Sequence, residues 1–235
     1  MLKKASLLSL IFLLLLGFIF GGASLLADSS TGESTAIIKF VAPTDSPPVL
    51  DPDDPTEPYD PDPNDPTTPQ DPPTDESGAL TLDYVSSLDF GEQVVSSETK
   101  IYESTVLKPF IQVSDRRGTA AGWTVTAQAS HFKDGDETDS LSGAKITLLN
   151  GESISPSQAA APTPVSEVEL IAGGDASIVV TAAEQTGMST WITRWYPSET
   201  TGLNNHVLLE IPGGVATLGN HTATITWTLT DAPGQ

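Results

Sequence analysis

Cysteine is absent from this 235-residue chain, and basic residues are scarce: ten Lys and Arg stand against 31 Asp and Glu, for a formal net charge of −21. Without cysteine, the chain forms no disulfide, offers no thiol nucleophile and takes no lipid on a cysteine. The lack of clustered Lys and Arg disfavours nucleic acid, whose phosphates need cationic partners. No stretch repeats apolar residues with a convincing 3.6-residue period, so a helical fold is also disfavoured.

The first 27 residues have the pattern of an export signal. Lys3 and Lys4 precede an apolar run from Leu7 to Phe20, followed by the small-residue stretch GGASLLA. This order is typical of a secretory signal peptide, and the run is shorter than the ~18–20 residues that span a bilayer. We predict a signal peptide over residues 1–27, cleaved after Ala23 or Ala27, and no membrane attachment after cleavage.

An exported chain without cysteine suggests a bacterial surface, because small exported eukaryotic domains depend on disulfides. The sequence shows no hydrophobic tail and no LPxTG-like sorting signal. We therefore expect that the protein stays on the cell, if it does, by non-covalent binding.

Proline and acidic residues dominate residues 43–77. Between Pro43 and Glu76, twelve of 34 residues are proline and eleven are acidic, with no Lys or Arg. Proline fixes φ and removes a backbone donor, while unbroken negative charge repels itself, so such a segment cannot build a core. We predict a disordered, extended linker whose upper reach is on the order of 100 Å, at about 3.1 Å per residue.

Between the signal peptide and this linker, residues 28–42 include the alternating apolar stretch STAIIKFVAP. The alternation predicts a short strand segment. A strand of this length is unstable alone. It either pairs with the domain beyond the linker or is recruited by a partner.

Residues 78–235 form the remaining domain, with 18 acidic and 7 basic residues. Seven runs are rich in Val, Ile, Thr and aromatic residues and are separated by Gly, Asn, Asp, Ser and Pro: LTLDYV, PFIQVSD, GWTVTAQA, AKITLLN, ASIVV, NHVLLEIP and TATITWTLT. Short strands punctuated by turn residues are typical of all-β folds. We predict an all-β, β-sandwich-like domain.

Two of these runs carry a tryptophan among alternating threonines. Because successive residues of a strand point to opposite faces, Trp123, Val125 and Ala127 share one face. In the second run, one face is shared by Ala223, Ile225, Trp227 and Leu229. The threonines of both runs point the other way. A tryptophan in line with small and branched aliphatic residues predicts a core position, with the threonine faces turned outward.

The ordered set of GWTVTAQ, AKITL, IPGG and TATITWTLTDAP, with LTLDYVSSLDFGEQ after an Asp-Pro-rich linker, resembles the WxL domain of Gram-positive surface proteins. The resemblance covers about residues 79–235, and the signal peptide and linker also fit it. The first motif departs from the pattern, since it reads Trp-Thr-Val rather than Trp-x-Leu. The motif positions, to which the resemblance assigns wall binding, are Trp123, Thr124, Val125, Trp227, Thr228 and Leu229.

The resemblance implies non-covalent attachment to the cell wall through peptidoglycan. It also implies assembly with other WxL proteins and with WxL-interacting surface proteins. The predicted protein is therefore secreted, cell wall-associated and non-enzymatic. Its motif tryptophans either contact the ligand or build the sheet that binds it through threonine hydroxyls. The alternative function is an adhesin or complex subunit whose main ligand is a host or partner protein.

A second aromatic cluster lies in STWITRWYPSE, where Trp191, Trp195 and Tyr196 flank Arg194 in a stretch unlike a clean strand. Exposed aromatic rings helped by an arginine are a common way to hold carbohydrate. Packing of the same residues over the open end of the sandwich is the other interpretation.

Catalytic and metal-binding patterns find little support. Neither G-x-S-x-G nor H-E-x-x-H occurs, and no pair of carboxylates is marked as acid and nucleophile. Asp134, Asp136 and Asp139 are dense enough for calcium, but the register of an EF-hand loop fails. We therefore predict no catalytic residue, no metal site and no cofactor, with a wall hydrolase as the enzymatic alternative.

Overall fold

A computed structural model describes residues 31–197 and 202–232. The predicted signal peptide, residues 1–27, lies outside the described residues. The described chain is all-β, as predicted from the sequence, and contains no helix. Accordingly, no helix within these two ranges is long and apolar enough to cross a membrane.

The strands of the described residues are, in chain order, β1 (Leu80–Val85), β2 (Lys100–Ser104), β3 (Phe110–Asp115), β4 (Trp123–Ala129), β5 (Phe132–Lys133), β6 (Asp139–Ser140), β7 (Lys145–Leu149), β8 (Glu152–Ile154), β9 (Thr163–Pro164), β10 (Glu167–Ile171), β11 (Ser177–Ala182), β12 (Ser189–Arg194), β13 (Asn204–Ile211) and β14 (Ile225–Thr230).

Three four-stranded antiparallel sheets contain most of these strands. Sheet I has the order β1-β3-β12-β8, sheet II has the order β10-β7-β13-β2, and sheet III has the order β14-β4-β11-β9. β5 and β6 form a separate two-stranded hairpin. The first and last strands of the domain, β1 and β14, are therefore both edge strands.

One hydrophobic core is shared by the three sheets. Val113 of sheet I, Val125 of sheet III, and Leu148 and Val207 of sheet II are all buried in the same cluster. Each comes from a strand whose β-branched and aliphatic residues favour a pleated, half-buried surface. The architecture is sandwich-like, and sheets I and III each keep an outer face on the far side of this core.

The chain divides into two units, Met1–Phe40 and Val41–Gln235. In the first unit, residues 31–40 are described. They are exposed and form no strand, and Val41 and Ala42 are likewise without one. The structure therefore shows no strand in the described part of residues 28–42, and recruitment of this segment by a partner stays a prediction. A strand needs partners for its backbone groups, and alternation alone does not supply them.

Residues 45–76, which we call the strap, differ most from the prediction. Rather than a free spacer, they lie along the outer face of sheet I. The Leu50 backbone N–H donates to Gln112 Oε1 at 2.7 Å, and Gln112 Nε2 donates to the Pro48 carbonyl at 2.9 Å. The Tyr59 ring meets Tyr84 and Phe110 edge-on, with centroids 5.6 and 5.0 Å apart.

The composition of the strap is compatible with an ordered segment bound to the surface of the sheet. Proline needs no donor partner, and its carbonyl remains available to side chains of the sheet. Aspartate carboxylates close local turns by accepting the N–H two residues on, which is the Asx turn. Four such turns join Asp51 to Asp53, Asp54 to Thr56, Asp62 to Asn64, and Asp65 to Thr67.

Candidate functional site: the threonine face of sheet III

The two predicted motifs are neighbours in sheet III. β14 pairs with β4 so that Thr228 lies opposite Thr126 and Leu229 lies opposite Val125. Residues about one hundred positions apart thus form one continuous surface. Because the pairing is in register over six residues, the inward and outward faces predicted for each strand combine into two faces of one sheet.

Trp123 is a core residue. Its side chain is fully buried, and its indole N–H donates to the Gly187 carbonyl at 3.0 Å. Gly187 has φ of +71°, and a Cβ there would lie 2.7 Å from Trp123 Nε1, so the close approach requires glycine. Val125 is equally buried beside it. The Trp-x-aliphatic motif on this central strand therefore lies in the core.

Trp227 and Leu229 occupy a different position, because β14 is an edge strand. Both side chains are half-buried and pack against the shared core. The Trp227 ring lies 5.9 Å from that of Trp195. The inward orientation predicted from alternation holds for this strand too, although the edge leaves part of each side chain in contact with solvent.

The outward side of the same two strands bears hydroxyl groups, and we call it the threonine face. Thr226 and Thr228 are exposed, while Thr126 is half-buried between them and β11. The face continues across the sheet. The Cα pairing aligns one row of threonines over all four strands, in the order Thr230, Thr124, Thr181 and Thr163.

Within that row, Thr124 serves the fold. It is 5% exposed and its hydroxyl donates to the Ala232 carbonyl at 3.0 Å. Thr181 and Thr163 were not singled out from the sequence, because neither lies near a tryptophan motif. Strand pairing places Thr181 beside the motifs, because Thr181 lies opposite Thr124.

A groove of about 660 Å³ opens at the edge of the threonine face, beside Trp227 and Leu229. Its lining comes from the strap end, β1, the turn after β3, and β14: Glu76, Ala79, Leu80, Leu82, Arg117, Trp227, Thr228, Leu229, Thr230 and Asp231. The groove therefore joins an aromatic and aliphatic wall to a rim carrying both signs of charge.

Arg117 supplies the cation of this rim and is held rigidly. Its Nε and Nη2 donate to the two carboxylate oxygens of Asp115 at 2.9 and 2.8 Å, and Nη2 also donates to the Gly122 carbonyl. The hydrogen bonds that Arg117 donates to Asp115 raise the pKa of its guanidinium, although burial opposes this. Over the described residues, Nη1 makes no hydrogen bond, so one donor nitrogen stays available. No motif in the sequence marks Arg117 for this role.

The second aromatic cluster packs into the protein. Trp191, Trp195 and Tyr196 are 6%, 2% and 5% exposed. Trp191 Nε1 donates to the Met188 carbonyl at 2.8 Å, and the Trp195 ring packs against that of Trp227. STWITR forms strand β12, which the sequence did not predict. This placement matches the packing interpretation of the cluster.

Arg194 of the same cluster holds the strap. Its guanidinium donates to Glu152 and to the Pro52 carbonyl at 2.6 Å, and it lies over the Tyr196 ring at 5.2 Å. The Tyr196 hydroxyl donates to Asp53 Oδ1 at 3.0 Å. The cluster therefore binds the chain's own acidic, proline-rich segment.

Comparison with known proteins agrees with these features. A family model described as "WxL domain surface cell wall-binding" matches residues 27–233, which include the strap and every strand. No curated protein and no solved structure gives a match. Since the family match spans nearly the whole chain, and the two tryptophan motifs meet in one sheet, the protein belongs to the WxL family of surface, cell wall-binding domains.

Proposed function

We propose that this cell-surface protein binds peptidoglycan non-covalently through the threonine face of sheet III and the groove at its edge. Membership of a surface, cell wall-binding family supports wall attachment in general. The observation that carries the finer proposal is the joining of both motif strands into one outward, hydroxyl-bearing face.

The chemistry of this face suits a glycan. Each threonine hydroxyl is one donor and two acceptors, which matches the hydroxyl and amide groups of an amino-sugar chain. The row from Thr230 to Thr163 crosses four strands, or about 14 Å at roughly 4.8 Å per strand spacing. Thr124 is buried within this row and its hydroxyl is bound in the fold, so Thr230, Thr181 and Thr163 are the members that present hydroxyls to sugar units.

The groove suits the stem peptide. Its volume of about 660 Å³ lies within the range of roughly 300–1,000 Å³ for ligand pockets. The free Nη1 of Arg117 is positioned to donate to a peptide carboxylate, while Trp227 and Leu229 offer apolar contact to alanine side chains. In this proposal Trp123 acts by building the sheet, while Trp227 both builds the sheet and contacts the ligand.

Assembly with other WxL proteins and with WxL-interacting surface proteins is part of the same proposal, and the family resemblance supports it. The proposed roles are wall retention and assembly with other proteins, and neither of them requires catalysis. Secretion by the signal peptide over residues 1–27 also belongs to the proposal, because a wall ligand lies outside the membrane. Clearing of peptidoglycan in a zymogram would contradict the non-enzymatic assignment.

The experiment is a pull-down of the exported chain, residues 28–235, on purified, protein-free cell walls. The strap is kept because it covers sheet I. The triple variant Thr126→Val/Thr226→Val/Thr228→Val removes three hydroxyls, and at about 0.5–1.5 kcal/mol per hydrogen bond we expect wall affinity to fall roughly tenfold or more. Thr138→Val, at an exposed threonine of the β5–β6 turn, is the matched control.

Salt gives a second readout. Since the chain carries a formal charge of −21 and teichoic acids are also negative, we expect wall binding to improve with added salt or mild acid as repulsion is screened. Failure of the exported chain to stay on bare walls would overturn the proposal and favour an adhesin whose main ligand is a protein. Equal retention of the triple variant and the control would remove the threonine face from the site.

A further inference from the structure

The edges of the three sheets are not equally protected. Natural edge strands avoid pairing with other chains by being short, by carrying charge or proline, or by being covered. Four edges show these features: β2 carries Lys100 and Glu103, β10 carries Glu167 and Glu169, β8 has three residues including Glu152, and β9 has two residues including Pro164.

The fifth edge, β1, is covered by the strap. The Leu82 backbone N–H donates to Glu76 Oε2 at 3.2 Å, and the Thr74 hydroxyl donates to the Leu82 carbonyl. β14 is the sixth edge. Its six residues, ITWTLT, contain no charge and no proline, and pair with β4 without a register shift. The free side of β14 has none of these protections, although β1 and the strap end lie beside it across the groove.

The free hydrogen-bonding groups of this edge can be identified. The Ser130 N–H donates to the Thr224 carbonyl at 2.9 Å, which makes these two residues a hydrogen-bonded pair. Such pairs alternate along an antiparallel ladder. Thr226, Thr228 and Thr230 therefore bond to β4. The N–H and C=O groups of Ile225, Trp227 and Leu229 point away from β4, and no hydrogen bond to them is found within the described residues.

The sequence of this edge is self-complementary about Trp227. Residues 224–230 read TITWTLT, which is the same in both directions except that Ile and Leu exchange places. From these observations we propose that β14 pairs antiparallel with β14 of a second copy, about a two-fold axis at Trp227. The partner surface is thus the same edge of another molecule of this protein.

This register matches every cross-strand pair. Trp227 faces Trp227 of the second copy, and Ile225 faces Leu229, so aromatic and aliphatic groups meet on the inner face. Thr226 faces Thr228 on the outer face. Aromatic pairs, aliphatic pairs and Thr–Thr hydrogen bonds are all favourable directly across strands. The free groups of residues 225, 227 and 229 also complete one another's hydrogen bonds, as a two-fold interface requires.

The dimer would join two copies of sheet III into one eight-stranded sheet. The second copy would fill the groove beside Trp227 and Leu229, so the dimer would meet the wall only through its threonine faces. These two faces become continuous, which gives a repeating ligand two attachment sites on one rigid body. The formal charge of −21 on each chain opposes association. We expect the dimer to strengthen as salt screens this repulsion.

The first test is sedimentation analysis of residues 28–235 in the absence of any wall material, across a wide concentration range at low and high salt. The expected result is a monomer–dimer equilibrium that shifts toward dimer with salt. Ile225→Pro and Ile225→Ala both lose the aliphatic side chain, but only proline loses the N–H that points to the free edge. We expect Ile225→Pro to dissociate at least about tenfold more readily than Ile225→Ala.

A monomer under all conditions, or equal effects of the two substitutions, would overturn the proposal. Because no wall is present, these outcomes are independent of the wall-binding test. Thermal melting of each variant shows whether the monomer remains folded, and the comparison is made at temperatures where both are.

The second test examines the register by disulfide cross-linking. The chain has no native cysteine, so only the introduced thiols can react. Thr226→Cys and Thr228→Cys are made in separate chains and oxidised alone or mixed. Residues 226 and 228 of the two copies would form a non-hydrogen-bonded pair with Cα atoms about 4.5 Å apart, within disulfide range. Identical positions would lie on a longer diagonal. We expect the mixture to cross-link faster than either variant alone, and equal rates would contradict this register.

Discussion

Sheets I and III each turn one face away from the shared core. The outer face of sheet I is covered by the strap, and the outer face of sheet III is exposed. The outer face of sheet I presents Tyr84, Phe110 and Ile192, all buried under the strap. The outer face of sheet III presents threonines and stays open. An apolar face must be covered to escape water, whereas a hydroxyl face can remain bare. The acidic, proline-rich segment is therefore structural, and the open face is the one that we propose as the wall-binding surface.

The largest expected effect comes from opening the covered face. Phe110 is fully buried, stacks on Tyr84 with centroids 4.4 Å apart and receives the edge of Tyr59. Phe110→Ala is expected to lower the free energy of unfolding by about 3–5 kcal/mol, as for other large aromatic truncations. Urea denaturation measures the change. A loss below about 1 kcal/mol would mean that the strap contributes little cover.

A smaller effect is expected from the strap side of the same contact. Tyr59→Ala removes two edge-to-face contacts, each about 0.5–1.5 kcal/mol, together with buried area. We expect a loss of about 2–3 kcal/mol and faster proteolysis of residues 45–76. Tyr59→Phe is the matched control, since it loses only the hydroxyl bond to the Pro69 carbonyl at 2.7 Å. It should cost about 1 kcal/mol.

Acid should loosen the strap through Asp53. Burial favours the neutral acid, but hydrogen bonds from Lys108 and Tyr196 and the charge of Arg194 outweigh it, so the pKa of Asp53 is lowered from its ordinary value of 3.8. A carboxyl group with a lowered folded-state pKa stabilises the fold above the ordinary value. That contribution is lost as pH falls through the folded-state pKa.

The comparison of wild type with Asp53→Asn isolates this effect. Because Asp53 keeps 47% of its side chain exposed, the stability difference should be no more than about 1 kcal/mol. This stability difference should be constant at neutral pH and should disappear as the pH falls below 3.8. A gap that persists in strong acid would assign the effect to packing instead of charge.

The smallest effect is expected on the open face. Thr228→Val changes an exposed strand residue and should alter stability by no more than about 0.5 kcal/mol. Thr124→Val lies in the same sheet, but it loses the bond to the Ala232 carbonyl and should cost about 1 kcal/mol. Thermal melting compares the two. Equal losses would mean that Thr228 also has a structural partner.

Much of the strand content could be predicted from local pattern. LTLDYV coincides with β1, and GWTVTAQA contains β4. Several features were not predicted in this way, among them strands β2, β10 and β12 and the ordered strap. Strand β12 was missed because STWITR mixes threonine and arginine with tryptophan just before Pro197. The strap was interpreted as disordered because its composition is too poor in apolar residues to build a core. Its few apolar residues pack instead on the outer face of sheet I, and composition alone does not reveal that surface.

By itself, the sequence determined which side chains share a face, because the two-residue period of a strand is a property of the local backbone. That was enough to turn Trp123 and Trp227 inward and the threonines outward. Only the tertiary structure decided that β4 and β14 are neighbours, that Trp195 packs against Trp227, and that the strap covers sheet I. Those contacts join distant parts of the chain, and they depend on which surfaces bury each other best.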